Sequence, residues 1–200
     1  MNFLTHIMIS KTLYRHLSKE MDLDRSAFLY GNIKPDLSPK CLRNPHILEN
    51  YLFIVCNQSN QLINHHAPLK EYSVDLGEIC HYICDFFCYY HLDYKIYHKL
   101  FYHFLYEIRL HLALCSLLLK QKINLTPGRE NPDKNIASMV MEMRKEYMTE
   151  HKTLQRDIEY AFTTALWACE AISRLSSDTA ESAAEINLNY SKAFYSPYRV

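Results

Sequence analysis

Glycine is scarce in this sequence: only three occur among 200 residues. Hairpin turns need glycine, whereas helices disfavour it, so this scarcity argues against architectures built from strands and tight turns. Long apolar runs are missing too, because none reaches the ~20 residues that a membrane-spanning helix needs. The sequence therefore predicts an all-α fold without a transmembrane segment.

Net charge is also lacking, since 22 basic side chains balance 22 acidic ones. A neutral chain has no overall field that would gather phosphate backbones, so stable nucleic-acid binding is not expected. The first residues, Met-Asn-Phe-Leu-Thr-His, lack the cationic and apolar segments of a secretory signal. Seven cysteines, an odd number, favour a reducing compartment over a disulfide framework. These features predict a cytoplasmic protein.

Apolar spacing divides the chain into helices of a single domain over residues 1–200. The predicted helices cover residues 3–20, a short helix ending at Gly31, and residues 47–65, 71–92, 95–120, 134–150 and 153–176. The segment Gly31-Asn-Ile-Lys-Pro-Asp36 is predicted to be a loop, because glycine and proline interrupt helices. Residues 177–200 are predicted to form a loosely ordered tail. The expected architecture is a multi-helix bundle.

Five polar side chains fall inside these apolar helices: His81, Asp85, His91, His103 and Glu107. Burial of such groups is unfavourable unless a partner compensates for lost hydration. His81 and Asp85 are four residues apart, as are His103 and Glu107, so each pair shares one helix face, as two ligands of one ion require. A hydrogen-bonded core histidine explains a single pair better than a ligand does. The metal interpretation depends on the whole set.

His91 suits a second ion, and two further residues, Asp36 and His46, extend the candidate set. His91 follows His81 by ten residues, which places it about 80° away around a regular helix and suits a neighbouring second ion. Asp36 and His46 each follow a proline, whose rigid backbone would position their side chains. A turn-capping aspartate is the alternative interpretation of Asp36.

In order and spacing, these residues resemble the zinc-dependent phospholipase C family. The resemblance is carried by Thr5-His6, Gly31-Asn-Ile-Lys-Pro-Asp36, His46, the run Leu-Gly-x-x-x-His81-x-x-x-Asp85-Phe-Phe-x-x-x-His91, and His103-x-x-x-Glu107. It covers about residues 3–112 and implies a single-domain helical bundle of the phospholipase C and zinc nuclease type.

The resemblance also implies the metal ligands. His46, His81 and Asp85 would bind one zinc ion, with Asp36 beside it or on it. His91, His103 and Glu107 would bind a second. The family completes a third site, at His6 and Asp85, with an N-terminal tryptophan, and this chain departs from that pattern by starting at Met1. Two or three zinc ions are therefore expected, with iron or manganese as alternatives.

The implied function is hydrolysis of a phosphodiester by water that a multinuclear zinc cluster activates. Asp36 is the candidate catalytic base, and the expected substrate is a small phosphodiester or a lipid head group. Three alternatives stay open. One is a single-strand nuclease or nucleotidase, another is a di-metal enzyme acting on a small molecule, and the third is a non-enzymatic scaffold that the ions only staple together.

Overall fold

The computed structural model describes residues 1–38, 44–123 and 135–194. Within these ranges the chain forms helices and no strand, which confirms the predicted all-α fold. In chain order the helices are α1 (Phe3–Leu17), α2 (Arg25–Leu37), α3 (Leu48–Asn64), α4 (Leu69–Phe86), a 3₁₀ turn (Tyr89–His91), α5 (Tyr94–Tyr97), α6 (Leu100–Leu119), α7 (Ile136–Thr149) and α8 (Leu154–Phe194). Among the described helices, none combines the length and apolar content that crossing a bilayer takes.

Helix α4 is the central element of the bundle. It packs against α1, α2, α3 and α8, and its fully buried apolar side chains include Leu76, Ile79, Ile83 and Phe86. Each such side chain contributes about 1.5–3 kcal/mol when it leaves water. The position of α4 is therefore strongly determined, and so is the position of every polar side chain that it carries.

Two glycines allow α2 and α4 to approach each other closely. A Cβ atom on Gly31 would lie 2.0 Å from the carbonyl oxygen of Val74, and one on Gly77 would lie 2.3 Å from that of Phe28. Any side chain at these points would push the helices apart. The contact places the second half of α2 directly beside the polar residues of α4.

The predicted loop over Gly31–Asp36 is wrong, because α2 continues through it to Leu37. Asp24 caps the start of α2, because its carboxylate accepts a hydrogen bond from the Ala27 N–H at 2.8 Å. Pro35 lies in the last turn of the helix, so the hydrogen bond that it removes weakens only the helix end. Gly31 therefore permits the close contact between α2 and α4 and does not form a turn.

The predicted helix over 71–92 is wrong at its C-terminal end. Helix α4 stops at Phe86, and the 3₁₀ turn that follows redirects the chain. Phe86, Phe87 and Cys88 at this break are buried and apolar, and no glycine or proline marks it. Instead, the Arg144 guanidinium of α7 donates hydrogen bonds to the carbonyl oxygens of Phe86 and Leu92, on either side of the turn. The predicted helix over 95–120 is likewise divided, into α5 and α6.

Helix α8 extends to Phe194, beyond the predicted end at residue 176. The sequence from Leu154 to Phe194 contains neither glycine nor proline, so nothing in it interrupts a helix. The loosely ordered tail over 177–200 and the single-domain organisation stay predictions, and residues 195–200 lie outside the described residues.

Candidate metal centre

The structure brings all eight predicted site residues to one place, at the C-terminal half of α4. His6 comes from α1, Asp36 from α2, His81 and Asp85 from α4, and His103 and Glu107 from α6. His46 precedes α3, and His91 ends the 3₁₀ turn. Three groups have candidate ligand atoms within 4.8 Å of one another: His6–His81–Asp85, Asp36–His46–His81 and His91–His103–Glu107.

His46, His81 and Asp85 form the more deeply buried set of candidate ligands, called here the inner group. His46 Nδ1 lies 3.0 Å from His81 Nε2 and 3.1 Å from Asp85 Oδ2. His81 Nε2 lies 3.4 Å from the same Asp85 oxygen. Asp36 is farther away, with Oδ1 at 3.7 Å from His81 Nε2 and 4.0 Å from His46 Nδ1. His6 Nε2 reaches the other Asp85 oxygen at 3.2 Å.

His91, His103 and Glu107 form the outer group. The two imidazole Nε2 atoms are 3.1 Å apart. Glu107 Oε1 lies 3.5 Å from His91 Nε2 and 3.2 Å from His103 Nε2. His91 also connects the two groups, because its Nδ1 atom lies 3.5 Å from Asp85 Oδ2.

These separations fit tetrahedral zinc. Zinc binds nitrogen and oxygen ligands at about 2.0–2.2 Å, which places neighbouring ligand atoms of a tetrahedron roughly 3.3–3.6 Å apart. The outer group, at 3.1–3.5 Å, and the trio of His46, His81 and Asp85, at 3.0–3.4 Å, both lie close to that range. Asp36 Oδ1, at 3.7 and 4.0 Å from the imidazole nitrogens of His81 and His46, lies farther from them than the Asp85 oxygen does.

Backbone carbonyl groups orient three of the imidazoles. His81 Nδ1 donates to the Asn32 carbonyl oxygen at 2.8 Å. The Nδ1 atoms of His91 and His103 each lie 3.2 Å from a carbonyl oxygen, that of His46 and that of Tyr97 respectively. A carbonyl oxygen can only accept, so Nδ1 carries the proton in each ring. Nε2 of the neutral ring then presents a lone pair to the group, as in metal-binding histidines.

The consequence is a set of acceptors that face one another. With both Nδ1 atoms protonated, neither Nε2 atom of His91 and His103 has a proton to donate across their 3.1 Å separation. Carboxylate oxygens of Asp85 and Glu107 complete the two groups and also only accept when ionised. Such groups repel one another unless a cation lies close to them.

Protonation states agree with a ligand role. Burial lowers the pKa of His81 well below its usual value, and burial also lowers the pKa of His91, to about 4. Burial by itself raises the pKa of the Asp85 carboxyl. His91 and the Met1 ammonium group lower it by more, so this pKa lies well below its usual value. Neutral imidazoles and an ionised carboxylate are the forms that bind metal at pH 7.

The amino nitrogen of Met1 lies in the same space. It contacts Asp85 and lies 3.2 Å from His91 Nε2 and 3.5 Å from Glu107 Oε1. Burial lowers the pKa of this ammonium group, but the carboxylates of Asp85 and Glu107 raise it more, to well above its usual value. A positive charge is therefore stabilised where these side chains converge.

A cleft of about 510 Å³ leads to these groups. Asp36, His46, His91, His103 and Glu107 line it, together with Met1, Asn2, Phe3, Leu37 and Tyr97. Asp36 Oδ2 is buried and has no hydrogen-bond partner among the described residues. Burial raises the pKa of this carboxyl above its usual value.

Two buried charged residues that sequence reasoning missed hold the turn carrying His91. Arg144 donates to the carbonyl oxygens on either side of the turn, and Asp157 of α8 accepts from the Tyr89 N–H at 3.1 Å. Asp157 also accepts from the Tyr147 hydroxyl at 2.7 Å. The sequence feature that could have identified them is an ionisable residue at a helix position that the apolar spacing assigns to the core. For Arg144, the neighbours at that spacing are Val140 and Tyr147.

In the described part of the chain, a helical bundle places two groups of candidate zinc ligands at one cleft, the arrangement of helical proteins that bind metal ions between helices. The family model for zinc-dependent phospholipase C matches residues 5–185, and the chain belongs to this family. The match contains all eight site residues and continues past residue 112 into α7 and α8. The comparisons with curated proteins and with solved structures found no match.

Proposed function

We propose that this protein hydrolyses phosphodiester bonds with a zinc cluster, as its family implies. One zinc ion is held by His46, His81 and Asp85. A second is held by His91, His103 and Glu107. His6, on the other oxygen of Asp85, belongs to a third position, whose occupancy the metal measurement below decides.

One observation carries the proposal. Six imidazole and carboxylate groups, from four separate parts of the chain, place acceptor atoms 3.0–3.5 Å apart in each group. Backbone carbonyl groups orient three of the four rings, those of His81, His91 and His103, so that their Nε2 lone pairs face inward. In the outer group neither Nε2 atom carries a proton, so the two imidazoles and Glu107 have no hydrogen-bond donor among themselves, and the positive charge beside them is that of the Met1 ammonium group.

The reaction needs a group that accepts a proton from the attacking water, and Asp36 is our candidate. When bound, zinc polarises a phosphoryl oxygen and lowers the pKa of water from 15.7 toward about 7. Asp36 lines the cleft, lies farther from the inner imidazole nitrogens than Asp85 does, and has an oxygen without a partner. Its raised pKa favours proton acceptance near neutral pH. The products are a phosphomonoester and an alcohol.

Metal analysis and turnover test the proposal together. The purified protein should contain two or more zinc ions per chain and hydrolyse p-nitrophenyl phosphorylcholine. His81→Ala and His103→Ala should each lower the zinc content by about one ion and abolish turnover. His16→Ala is the matched control, because His16 on α1 pairs with Glu170 at 3.8 Å, outside the metal groups. It should change neither quantity.

Asp36→Asn separates catalysis from binding. This variant should keep its zinc content and lose about 10²–10⁴-fold in turnover, the usual contribution of a general base. Loss of a zinc ion in Asp36→Asn would make Asp36 a ligand instead. A folded wild-type protein that binds no zinc, and that shows no turnover with added zinc, iron or manganese, would refute the proposed function.

A further inference from the structure

Helix α6 is apolar on the side that faces away from the bundle. Only His103, Leu110 and Leu114 of this helix are buried. Six of its exposed apolar residues form what is called here the outer stripe: Phe101, Phe104, Leu105, Ile108, Leu112 and Leu119. Phe101 is 68% exposed and Leu119 is 85% exposed. An isolated exposed apolar residue is ordinary, but a continuous stripe marks a contact surface.

The stripe follows helical spacing. Relative to Phe101, its members fall at steps of three, four, seven, eleven and eighteen residues, which keeps them within an arc of about 100°. The buried residues of α6 lie on the opposite side. A helix of a soluble bundle places polar residues on that outward arc, so this one has the composition of a helix that is covered on both sides.

The exposed charges next to the stripe are predominantly positive, and the exposed acidic residue beside them is Asp93, which precedes α5. Between Tyr94 and Lys122 the exposed charged residues are Lys95, Lys99, Arg109, Lys120 and Lys122. The acidic residue of this segment is Glu107, which belongs to the outer metal group and turns into the cleft. Exposed cations beside an apolar stripe complement phosphate groups above acyl chains, the arrangement of helices that lie in a membrane surface.

The stripe is also continuous with the candidate site. The same helix contributes His103 and Glu107 to the cleft. Phe3 and Leu37, which line the cleft, are 37% and 56% exposed. Exposed apolar side chains are therefore present both along the stripe and among the residues that line the cleft. Tyr94 and Tyr102, exposed beside the stripe, have the amphipathic rings that are enriched at the level of lipid head groups.

We propose that the outer stripe of α6 docks on the surface of a phospholipid bilayer and presents the cleft to lipid head groups. The inference rests on the proposed function for its substrate, a phospholipid, but not for the docking itself. The apolar side chains enter the head-group region, while Lys95, Lys99 and Arg109 meet the phosphates. A water-soluble phosphodiester would gain nothing from this surface.

Vesicle binding of the full-length protein tests the docking without turnover. Vesicles of equal parts phosphatidylcholine and phosphatidylglycerol should sediment the wild-type protein. Phe101→Ser/Phe104→Ser should bind at least about tenfold more weakly, because two exposed rings no longer leave water. Phe53→Ser on α3 is the matched control, since Phe53 is 81% exposed but lies on another helix. It should bind as the wild type does.

Two further measurements separate the docking from catalysis. His81→Ala should lose turnover and still bind vesicles. In Phe101→Ser/Phe104→Ser, turnover on vesicle phospholipid relative to p-nitrophenyl phosphorylcholine should fall at least about tenfold. Vesicle binding without any turnover in the wild type would refute the proposed function and leave the docking intact.

Other outcomes overturn the docking alone. One is turnover on a soluble phosphodiester by a protein that does not bind vesicles. Another is a wild-type dimer that Phe101→Ser/Phe104→Ser converts to a monomer, without vesicle binding. That result would assign the stripe to a second copy of the chain. Circular dichroism of the double variant should match the wild type, because both positions are exposed.

Discussion

Alanine at position 31 would place its Cβ atom 2.0 Å from the Val74 carbonyl oxygen, 2.8 Å from its carbonyl carbon and 3.0 Å from its Cα. All three atoms are backbone, so no side-chain rotation can relieve the contact. An ordinary carbon–oxygen contact needs about 3.4 Å or more, so α2 must move away from α4 by roughly 1 Å. The substitution therefore changes the spacing of the two helices on which the inner group depends.

Two effects of opposite sign decide the outcome of Gly31→Ala. Alanine favours the helix by about 1 kcal/mol over glycine. Overpacking typically costs about 1–3 kcal/mol, and more where backbone must move. Because the contact is between two backbones, overpacking should prevail, with a net loss of about 2 kcal/mol in the free energy of unfolding. Gly77→Ala should act alike, since its Cβ would lie 2.3 Å from the Phe28 carbonyl oxygen.

The same displacement should reach the metal centre. The Asn32 carbonyl oxygen, next to Gly31, accepts the His81 Nδ1 proton at 2.8 Å, and a 1 Å shift would break that bond. When a metal-binding histidine loses the hydrogen-bond partner of its other ring nitrogen, its metal affinity falls about 10–100-fold. Gly31→Ala should show this weakening in a zinc competition titration.

Denaturant unfolding of the zinc-free protein measures the stability change, and the titration measures affinity. Ser26→Ala, an exposed change on the same helix, is the control and should lie within about 0.5 kcal/mol of wild type. A Gly31→Ala variant that is as stable as wild type and binds zinc equally well would show that α2 and α4 are not in this close contact.

Three further predictions follow from the buried charges. Burial raises the pKa of Asp157 to about 7. The neutral acid therefore contributes stability at low pH, and this contribution is lost as pH rises from about 4 through about 7. Between about pH 5 and pH 7, denaturation curves should show that the free energy of unfolding of the wild type falls by up to about 2 kcal/mol more than that of Asp157→Asn. Arg144→Met leaves the Phe86 and Leu92 carbonyl oxygens without their donor, and the zinc affinity of the outer group should fall about 10–100-fold in competition titrations while the inner group changes less. Chelation should lower the melting temperature, and excess zinc should restore it with a stabilisation of about 4 kcal/mol at 1,000 times its dissociation constant, whereas calcium should not.

Local spacing was sufficient to predict a helical fold and the ligand pairs that share a helix face. His81 and Asp85, and His103 and Glu107, share helix faces because four residues make about one turn. Burial of these polar residues within apolar helices followed from the same pattern. Their convergence did not, because spacing within a helix says nothing of where α4 and α6 lie relative to each other; the family resemblance supplied that expectation.

The sequence-based errors have a common physical cause. Gly31 and Pro35 are helix breakers in isolation, but tertiary contacts with α4 and a position in the last turn make both compatible with α2. The end of α4 has the opposite character: no glycine or proline marks it, and the turn that follows is held by Arg144, which lies 58 residues from Phe86 in sequence. Neither effect is encoded within the local window from which periodicity is read.

The fold holds the inner and outer groups in place to different degrees, and this difference affects how each group binds its ion. The inner group lies on α4 and the residues against it, where His81 and Asp85 are fully buried. The outer group takes two of its three side chains from α6, a helix with only three buried residues of its own. Packing therefore determines the inner group before any ion binds. An ion in the outer group would instead supply part of the energy that holds α6 against the bundle. The exposed helix that we assign to lipid contact is thus also the helix whose position depends most on metal.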